Sequence, residues 1–304
     1  MTEHVPVMIT EVLEHVPEEL RGWAVDATLG LGGYSEALLV KCPLLSVLGI
    51  DQDPQALRLA QERLAPFSSR FRALEGNFRQ ISALVASLPE KFSVILFDLG
   101  LSNLQLTERE RGFSFNEDGP LDMRMSPLLR KSAYHWINNS SPQELSEIFR
   151  LYGEERYAWP LAKGIVRHVF QKGPIETTGA LVSVVRSILP APIQRKMGGH
   201  PARRIFQALR IAVNDEIAAL EEALDAVAKI GADPCRVIVV SYHSLEDRVV
   251  KHRFRSWKQE GLGRELTRKP LIPTEAEIEG NYKARSAKLR VFRLETEGEG
   301  EYGN

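Results

Sequence analysis

Three acidic residues and one cluster of glycines stand where an open α/β sheet would place a ligand. In "VDATLGLGGYS", Asp26 ends an apolar stretch and is followed by Gly30, Gly32 and Gly33. Asp51 closes "LSVLGID", 21 residues past Gly30, and Asp98 closes "FSVILFD". Glycines behind a strand permit a tight turn and close approach of the backbone to a ligand. A triphosphate-binding loop ends in Gly-Lys-Ser/Thr, and none follows Gly33; a dinucleotide fingerprint needs a glycine where Ser35 stands. An acid at the end of the second strand can accept hydrogen bonds from both ribose hydroxyls. A glycine turn, a ribose carboxylate and a third acid suit S-adenosylmethionine, which carries no phosphate. A plain strand-to-helix turn in a nucleotide-free fold uses the same glycines, and that alternative stays open at this point.

Such residues work only if strands and helices bring them together. "WAVDA", "LSVLGID", "RFRALEG" and "FSVILFDLG" read as strands, separated by the helical runs "YSEALLVKC", "PQALRLAQERLAPF" and "FRQISALVASL". This alternation predicts a parallel sheet covered by helices on both faces. The next strand, "CRVIVVSYHS", starts only at Cys235, and most of the interval reads as helix. The fold class expected is therefore α/β, a Rossmann-like sheet with an inserted helical domain. Its parts are residues 1–131 and 215–294 for the sheet domain, 132–214 for the insertion and 295–304 for a flexible tail. "SAKLRVFRLE" reads as a closing edge strand.

The chain has 304 residues, 43% hydrophobic and 26% charged, with a net charge of −1, which fits an ordinary globular protein rather than a disordered or globally basic one. Cys42 and Cys235, the only two cysteines, make neither a disulfide framework nor a four-ligand zinc site, so no metal is expected. No apolar run approaches the ~18 residues of a membrane span, and the expected location is the cytoplasm.

Longer strings carry a resemblance. "HVPVMITEVLE", "DATLGLGGYSEALL", "FDLGLSNLQLTERERGFSFNEDGPLDMRM", "YGEER", "FQALRIAVNDE", "SYHSLEDRVVKHRF" and "ARSAKLR" occur in order from His4 to about Leu294. In these the chain resembles the bacterial 16S ribosomal RNA cytosine-N4 methyltransferases, the small-subunit methyltransferase H family. The resemblance implies methylation, from S-adenosylmethionine, of the exocyclic amine of one cytidine near the decoding site. The implied substrate is 16S rRNA in an assembled or nearly assembled small subunit; the oligomeric state stays open. Cofactor contacts then fall on Gly32, Gly33, Tyr34, Asp51, Phe78, Asp98 and Gln105. Tyr34 stands where the family usually has histidine, Asn103 where it has serine, and "GNYKARS" where an Asn-Pro-Arg form is common.

The chemistry narrows the rest. Cytosine N4 is a poor nucleophile because its lone pair is delocalised, so a site must orient the amine and accept its hydrogens, with the base unstacked. Many amino-methyltransferases carry Asp/Asn-Pro-Pro-aromatic at the fourth strand; here the residues are Asp98, Leu99, Gly100 and Leu101. Asp98 and His243 are the catalytic candidates, and His243 is as readily a structural hydrogen-bonder. Ser241 and Tyr242 border the expected base pocket. Arg111, Phe113, Phe115 and Arg124 belong to a stretch read either as a substrate-side lid or as a well-packed loop. Phe78 is read as a cover for the adenine face or as a core ring. Methylation at carbon 5 needs a cysteine nucleophile, and Cys235, ahead of an apolar strand, is at the wrong edge of the sheet for it.

From Ser241 to Leu294 there are thirteen Lys/Arg against seven Asp/Glu. With Arg203, Arg204 and Arg285 as candidates, such cations position an RNA backbone without reading sequence. Two function classes result: an RNA methyltransferase, and a non-catalytic RNA-binding or ribosome-assembly protein that retains the cofactor fold.

Overall fold

A computed structural model describes residues 5–86, 88, 91–197 and 199–295. The chain divides into two compact units, Met1–Gly100 with Ile217–Asn304, and Leu101–Glu216. The expected tail, 295–304, lies outside the described residues except for Glu295.

The first unit runs α1 (Ile9–Glu14), β1 (Gly22–Asp26), α2 (Gly33–Lys41), β2 (Leu45–Asp51), α3 (Pro54–Arg63), β3 (Phe71–Glu75), α4 (Ile81–Val85) and β4 (Phe92–Asp98). The second contains α5 (Asn103–Thr107), α6 (Ala133–Asn139), α7 (Pro142–Gly153), α8 (Ala158–Lys172), α9 (Thr178–Ile188), α10 (Ala191–Lys196) and α11 (Arg203–Asn214). The chain then returns through α12 (Glu216–Ile230), β5 (Gly231–Ser241), α13 (Ser244–Gln259), β6 (Gly263–Glu265), α14 (Glu275–Gly280) and β7 (Lys288–Leu294).

The sheet has seven strands in the order β3-β2-β1-β4-β5-β7-β6. β1 to β5 are parallel; β7 runs antiparallel to both β5 and β6. The order reverses between β1 and β4, and in such sheets ligands sit beyond the carboxyl ends of the strands at that switch point. Asp26 and Asp98 end the two strands that meet there.

Burial explains why the strands read as apolar runs. Every residue of β4 from Phe92 to Phe97 is buried, because both faces of the sheet are covered. Val94, Leu96, Ile238 and Val240 pack with α2, whereas Ile95, Phe97, Val237 and Val239 pack with α12 and α13. Period-two alternation between two cores fixes the register, since a one-residue slip exchanges the faces. The α3 start is set locally by Pro54 at its first turn and by Asp53, whose side chain accepts from Gln55 N–H at 3.1 Å.

Several expected boundaries move. β7 is an interior strand, and the edge beside it is β6, whose three residues are too few to show alternation. The helical unit is compact from Leu101 onward, thirty-one residues ahead of the expected 132, because Phe113, Leu121 and Met123 pack into its own core. α7 ends at the left-handed Glu154 (φ 47°) and helix resumes only at Ala158, whereas a single left-handed residue, Asp215 (φ 51°), separates α11 from α12. Neither Gly nor Pro stands between the helices in either case, which hides the breaks from sequence. Among the described residues no helix is long and apolar enough to cross a membrane.

Candidate active site

The turn after β1 is built around two carboxylates. Asp26 is fully buried and accepts from Ser35 Oγ at 2.8 Å and from Thr28 N–H at 3.4 Å. Burial raises its pKa to about 7, with Asp98 and Asp51 adding repulsion against those two hydrogen bonds. Gly30 and Gly32 adopt left-handed backbone, φ 52° and 79°. That conformation aims the Gly30 N–H at Asp51 Oδ2, 2.8 Å away, while Asp53 N–H donates to Oδ1 at 2.9 Å. Asp51 thus pins the glycine turn to the end of β2, and burial lifts its pKa to about 6. With the Gln52 N–H as a third donor, its two oxygens still offer lone pairs in excess of their backbone bonds, the acceptor character a ribose diol requires.

The neighbouring glycines serve packing. A Cβ on Gly33 would lie 2.6 Å from Pro6 Cγ, and one on Gly32 would lie 2.9 Å from Leu64 Cδ1. Tyr34 points inward: it is 5% exposed and its hydroxyl donates to the Val7 carbonyl. Only its backbone is left for a ligand, so the tyrosine in place of histidine alters the core and leaves the turn intact.

A second cluster forms at the ends of β4 and β5. Asp98 N–H donates to Thr28 Oγ1 at 2.6 Å, and Asp98 Oδ1 accepts from the Tyr242 hydroxyl at 2.7 Å. Burial raises the Asp98 pKa to about 6; the Tyr242 bond and Lys283 oppose the rise, and Glu246 adds to it. Gly100 makes this pair fit: a Cβ there would lie 2.6 Å from Tyr242 Cε2. The tyrosine ring therefore occupies the space that a side chain after Leu99 would fill. The buried Glu246 fixes the turn from β5 into α13, with Oε2 accepting from Tyr242 N–H at 2.7 Å and His243 N–H at 3.2 Å.

His243 is the N-cap of α13. Its Nδ1 accepts from Glu246 N–H at 3.4 Å, its Nε2 lies 3.0 Å from Glu246 Oε1, and its side chain is 8% exposed. That is a structural position, the second of the two readings open for it in sequence. Ser241 is buried with its hydroxyl toward the Lys288 carbonyl, at 3.4 Å. Cys235 is buried in β5 and burial pushes its thiol up to about 12, as befits an inert strand residue.

Lys283 was missed in sequence, where "GNYKARS" stood out only as a departure. Its Nζ is buried without a hydrogen-bond partner among the described residues, and burial lowers its pKa to about 8 against the attraction of Asp98. The available signal was a lysine eleven residues before the end of the last strand; nothing in its spacing pointed to Asp98.

The remaining candidates divide by unit. In the sheet unit, Phe78 is half-buried and meets Phe97 edge-on at 5.8 Å, so it is at once a core ring and a partly open face. Arg285 is exposed and lies over the Tyr282 ring at 5.7 Å. Lys288 and Arg290 both bind Asp247, at 3.0 and 2.6 Å, which removes them from the free cations of the last strand.

In the helical unit, Gln105 is 6% exposed and caps α5, its Oε1 accepting from Ser102 N–H at 3.0 Å. The Asn103 side chain lies outside the described residues. Phe113 is a core residue, and Phe115 stacks on His200 at 4.7 Å. Arg111 donates to the Met125 carbonyl, and Arg124 grips both oxygens of Asp122 at 2.7 and 2.8 Å. The stretch is thus anchored at Arg111, Phe113 and Arg124, while Asn116 to Asp118 between them are exposed. At the start of α11, Arg203 is exposed and Arg204 donates to the Glu154 carbonyl at 3.0 Å.

A family model described as the MraW methylase family matches residues 1–295. The chain belongs to the MraW methylase family. It is 43% identical to the ribosomal RNA small subunit methyltransferase H of Carboxydothermus hydrogenoformans, over 95% of this chain and 96% of that one. The protein of the same name from Heliobacterium modesticaldum is 44% identical, over 95% and 97%. That from Thermobifida fusca is also 44% identical, over 95% and 92%. For this member of the MraW methylase family, the fold places Asp26, Asp51 and Asp98 in one unit, at the carboxyl ends of adjacent strands.

Proposed function

We propose that this chain transfers a methyl group from S-adenosylmethionine to the exocyclic N4 amine of a decoding-site cytidine in 16S rRNA. The observation that carries the reading is the Asp98–Tyr242 pair beside the Asp51-pinned glycine turn, in a chain whose relatives are named for small-subunit rRNA methylation.

The residues fit the cofactor. Asp51 offers lone pairs to a diol, Gly30 leaves open space on its Cβ side, and Phe78 presents a partly open aromatic face. When bound, S-adenosylmethionine supplies an electrophilic methyl group on a positively charged sulfur.

Asp98 does the work on the amine. As N4 forms its bond to the methyl carbon, the carbon–sulfur electron pair stays with sulfur and one N4 proton must leave. A carboxylate with pKa about 6 is ionised at neutral pH and still basic enough to take that proton. Tyr242, bonded to Oδ1, and the Gly100 N–H hold the carboxylate in one orientation, toward the amine. Gly100 stands where the Asp/Asn-Pro-Pro-aromatic arrangement has a proline, and the Tyr242 ring, from just beyond the end of β5, occupies the space beside it.

RNA contacts fall to exposed cations such as Arg285 and Arg203, the helical unit being the proposed substrate-recognition domain. The test is incorporation of labelled methyl into small ribosomal subunits from cells lacking this gene, with wild type and Asp98→Asn side by side. The proposal expects label with wild type and a loss of at least 100-fold with the variant. Cofactor binding without transfer to any subunit or precursor particle supports the non-catalytic assembly role instead.

A further inference from the structure

Buried donors in folded proteins are almost always paired, and an ammonium group without a partner costs more than any other. Lys283 breaks this rule within the sheet unit. Its Nζ is buried with no hydrogen bond among the described residues. Its backbone is fixed: Lys283 N–H donates to Asn281 Oδ1 at 3.2 Å in the short 3-10 turn Tyr282–Ser286, and the next residue, Ala284, is fully buried. The charge is felt at Asp98, whose carboxyl it stabilises, yet no direct bond joins the two groups. The strand register brings the two to one edge of the sheet: Asp98 pairs with Val240, Val240 with Leu289, and the turn that carries Lys283 leads directly into that end of β7, so an unsatisfied donor and an acceptor held by Tyr242 share the site.

That pairing is the complement of one edge of cytosine. N4 offers hydrogens, and the adjacent N3 offers a lone pair; uracil presents the reverse, an oxygen and an N–H. A carboxylate beside an ammonium accepts the first pattern and repels the second on both atoms. We propose that Lys283 donates to N3 of the target cytosine while Asp98 accepts from its N4 amine, an assignment that rests on the cytosine-N4 reading above. The contact serves recognition and orientation of the base, holding N4 toward Asp98. The low pKa of the buried lysine fits a group that waits for its partner.

The test uses small subunits rebuilt with either cytidine or 3-deazacytidine at the target position, the latter having C–H in place of N3. Single-turnover transfer is measured with wild type, Lys283→Met and Lys283→Arg, and cofactor affinity by calorimetry. Losing a hydrogen bond to a charged donor is expected to slow transfer by about 10- to 100-fold. Lys283→Met on normal subunits and wild type on the deaza subunits should each show this loss, while Lys283→Met on deaza subunits loses almost nothing more. Lys283→Arg, which keeps a donor, restores most of the rate on cytidine, and cofactor affinity changes less than about twofold throughout. Losses that multiply overturn the assignment, as does a Lys283→Met effect confined to cofactor affinity, which would place the ammonium on the methionine carboxylate. Absence of transfer by wild type to cytidine subunits overturns the N4 reading itself, and the lysine assignment falls with it.

Discussion

Replacing Tyr242 with phenylalanine removes one oxygen atom and leaves the ring that packs against Gly100. What is lost is a 2.7 Å hydrogen bond from a hydroxyl to a buried carboxylate. Bonds of this charge-assisted kind contribute about 1.5–3 kcal/mol, and each 1.36 kcal/mol corresponds to one pKa unit. The bond favours the ionised form, so its loss raises the Asp98 pKa from about 6 by roughly one to two units. Glu246 and Lys283, the other charges acting on Asp98, are untouched by the substitution. If ionised Asp98 accepts the N4 proton, the acid limb of the single-turnover pH profile moves from near pH 6 to between about 7 and 8. At pH 9 the variant recovers most of the wild-type rate. Single-turnover methyl transfer between pH 5 and 9 reads this directly, and carboxyl infrared bands of Asp98 check the ionisation independently. An acid limb that stays in place, with a rate lowered equally at every pH, refutes the reasoning and leaves Tyr242 a packing residue.

Asp98→Asn should abolish turnover and yet stabilise the fold at neutral pH. An acid whose pKa rises from 3.8 to about 6 on folding loses stability as pH climbs through that interval, on the order of 3 kcal/mol. Thermal melts of variant and wild type should therefore converge only below the unfolded pKa of 3.8 and separate fully by pH 7.5, the variant higher. Gly100→Ala puts a methyl group 2.6 Å from the Tyr242 ring, and overpacking of that kind costs about 1–3 kcal/mol; a lower melting temperature with at least tenfold slower transfer is expected. His243→Ala should lower stability by about 0.5–2 kcal/mol through loss of the α13 cap, with turnover within several-fold of wild type. Asp51→Ala should weaken S-adenosylmethionine binding at least 100-fold by calorimetry, since two hydroxyl bonds to a charged acceptor are lost.

The sheet was legible because its strands are short apolar runs punctuated by turn residues, and four of them end in or beside an acid. Asp51 could be assigned from its place at the end of the second strand, and the structure adds that it also holds Gly30. β6 was not legible, since three residues carry no period. The break at Asp215 was hidden because one residue between two helices leaves no room for a turn signal, and that at Glu154 because the four intervening residues include neither Gly nor Pro. The roles of Tyr242 and Lys283 toward Asp98 span more than 140 residues of chain, as in the Asp98–Tyr242 bond, and no local pattern encodes such a pairing, whereas Glu246 acts locally as part of the α13 capping box. For Tyr34 the sequence could not say where the side chain goes: it is buried in the core with its hydroxyl on the Val7 carbonyl.

The most direct test of the central claim is identification of the methylated atom. Small subunits from cells lacking the gene are incubated with the protein and labelled S-adenosylmethionine, digested to nucleosides and mapped by mass spectrometry. The account predicts one N4-methylcytidine at a decoding-site position. Label on carbon 5, on a ribose hydroxyl or on a protein would contradict it.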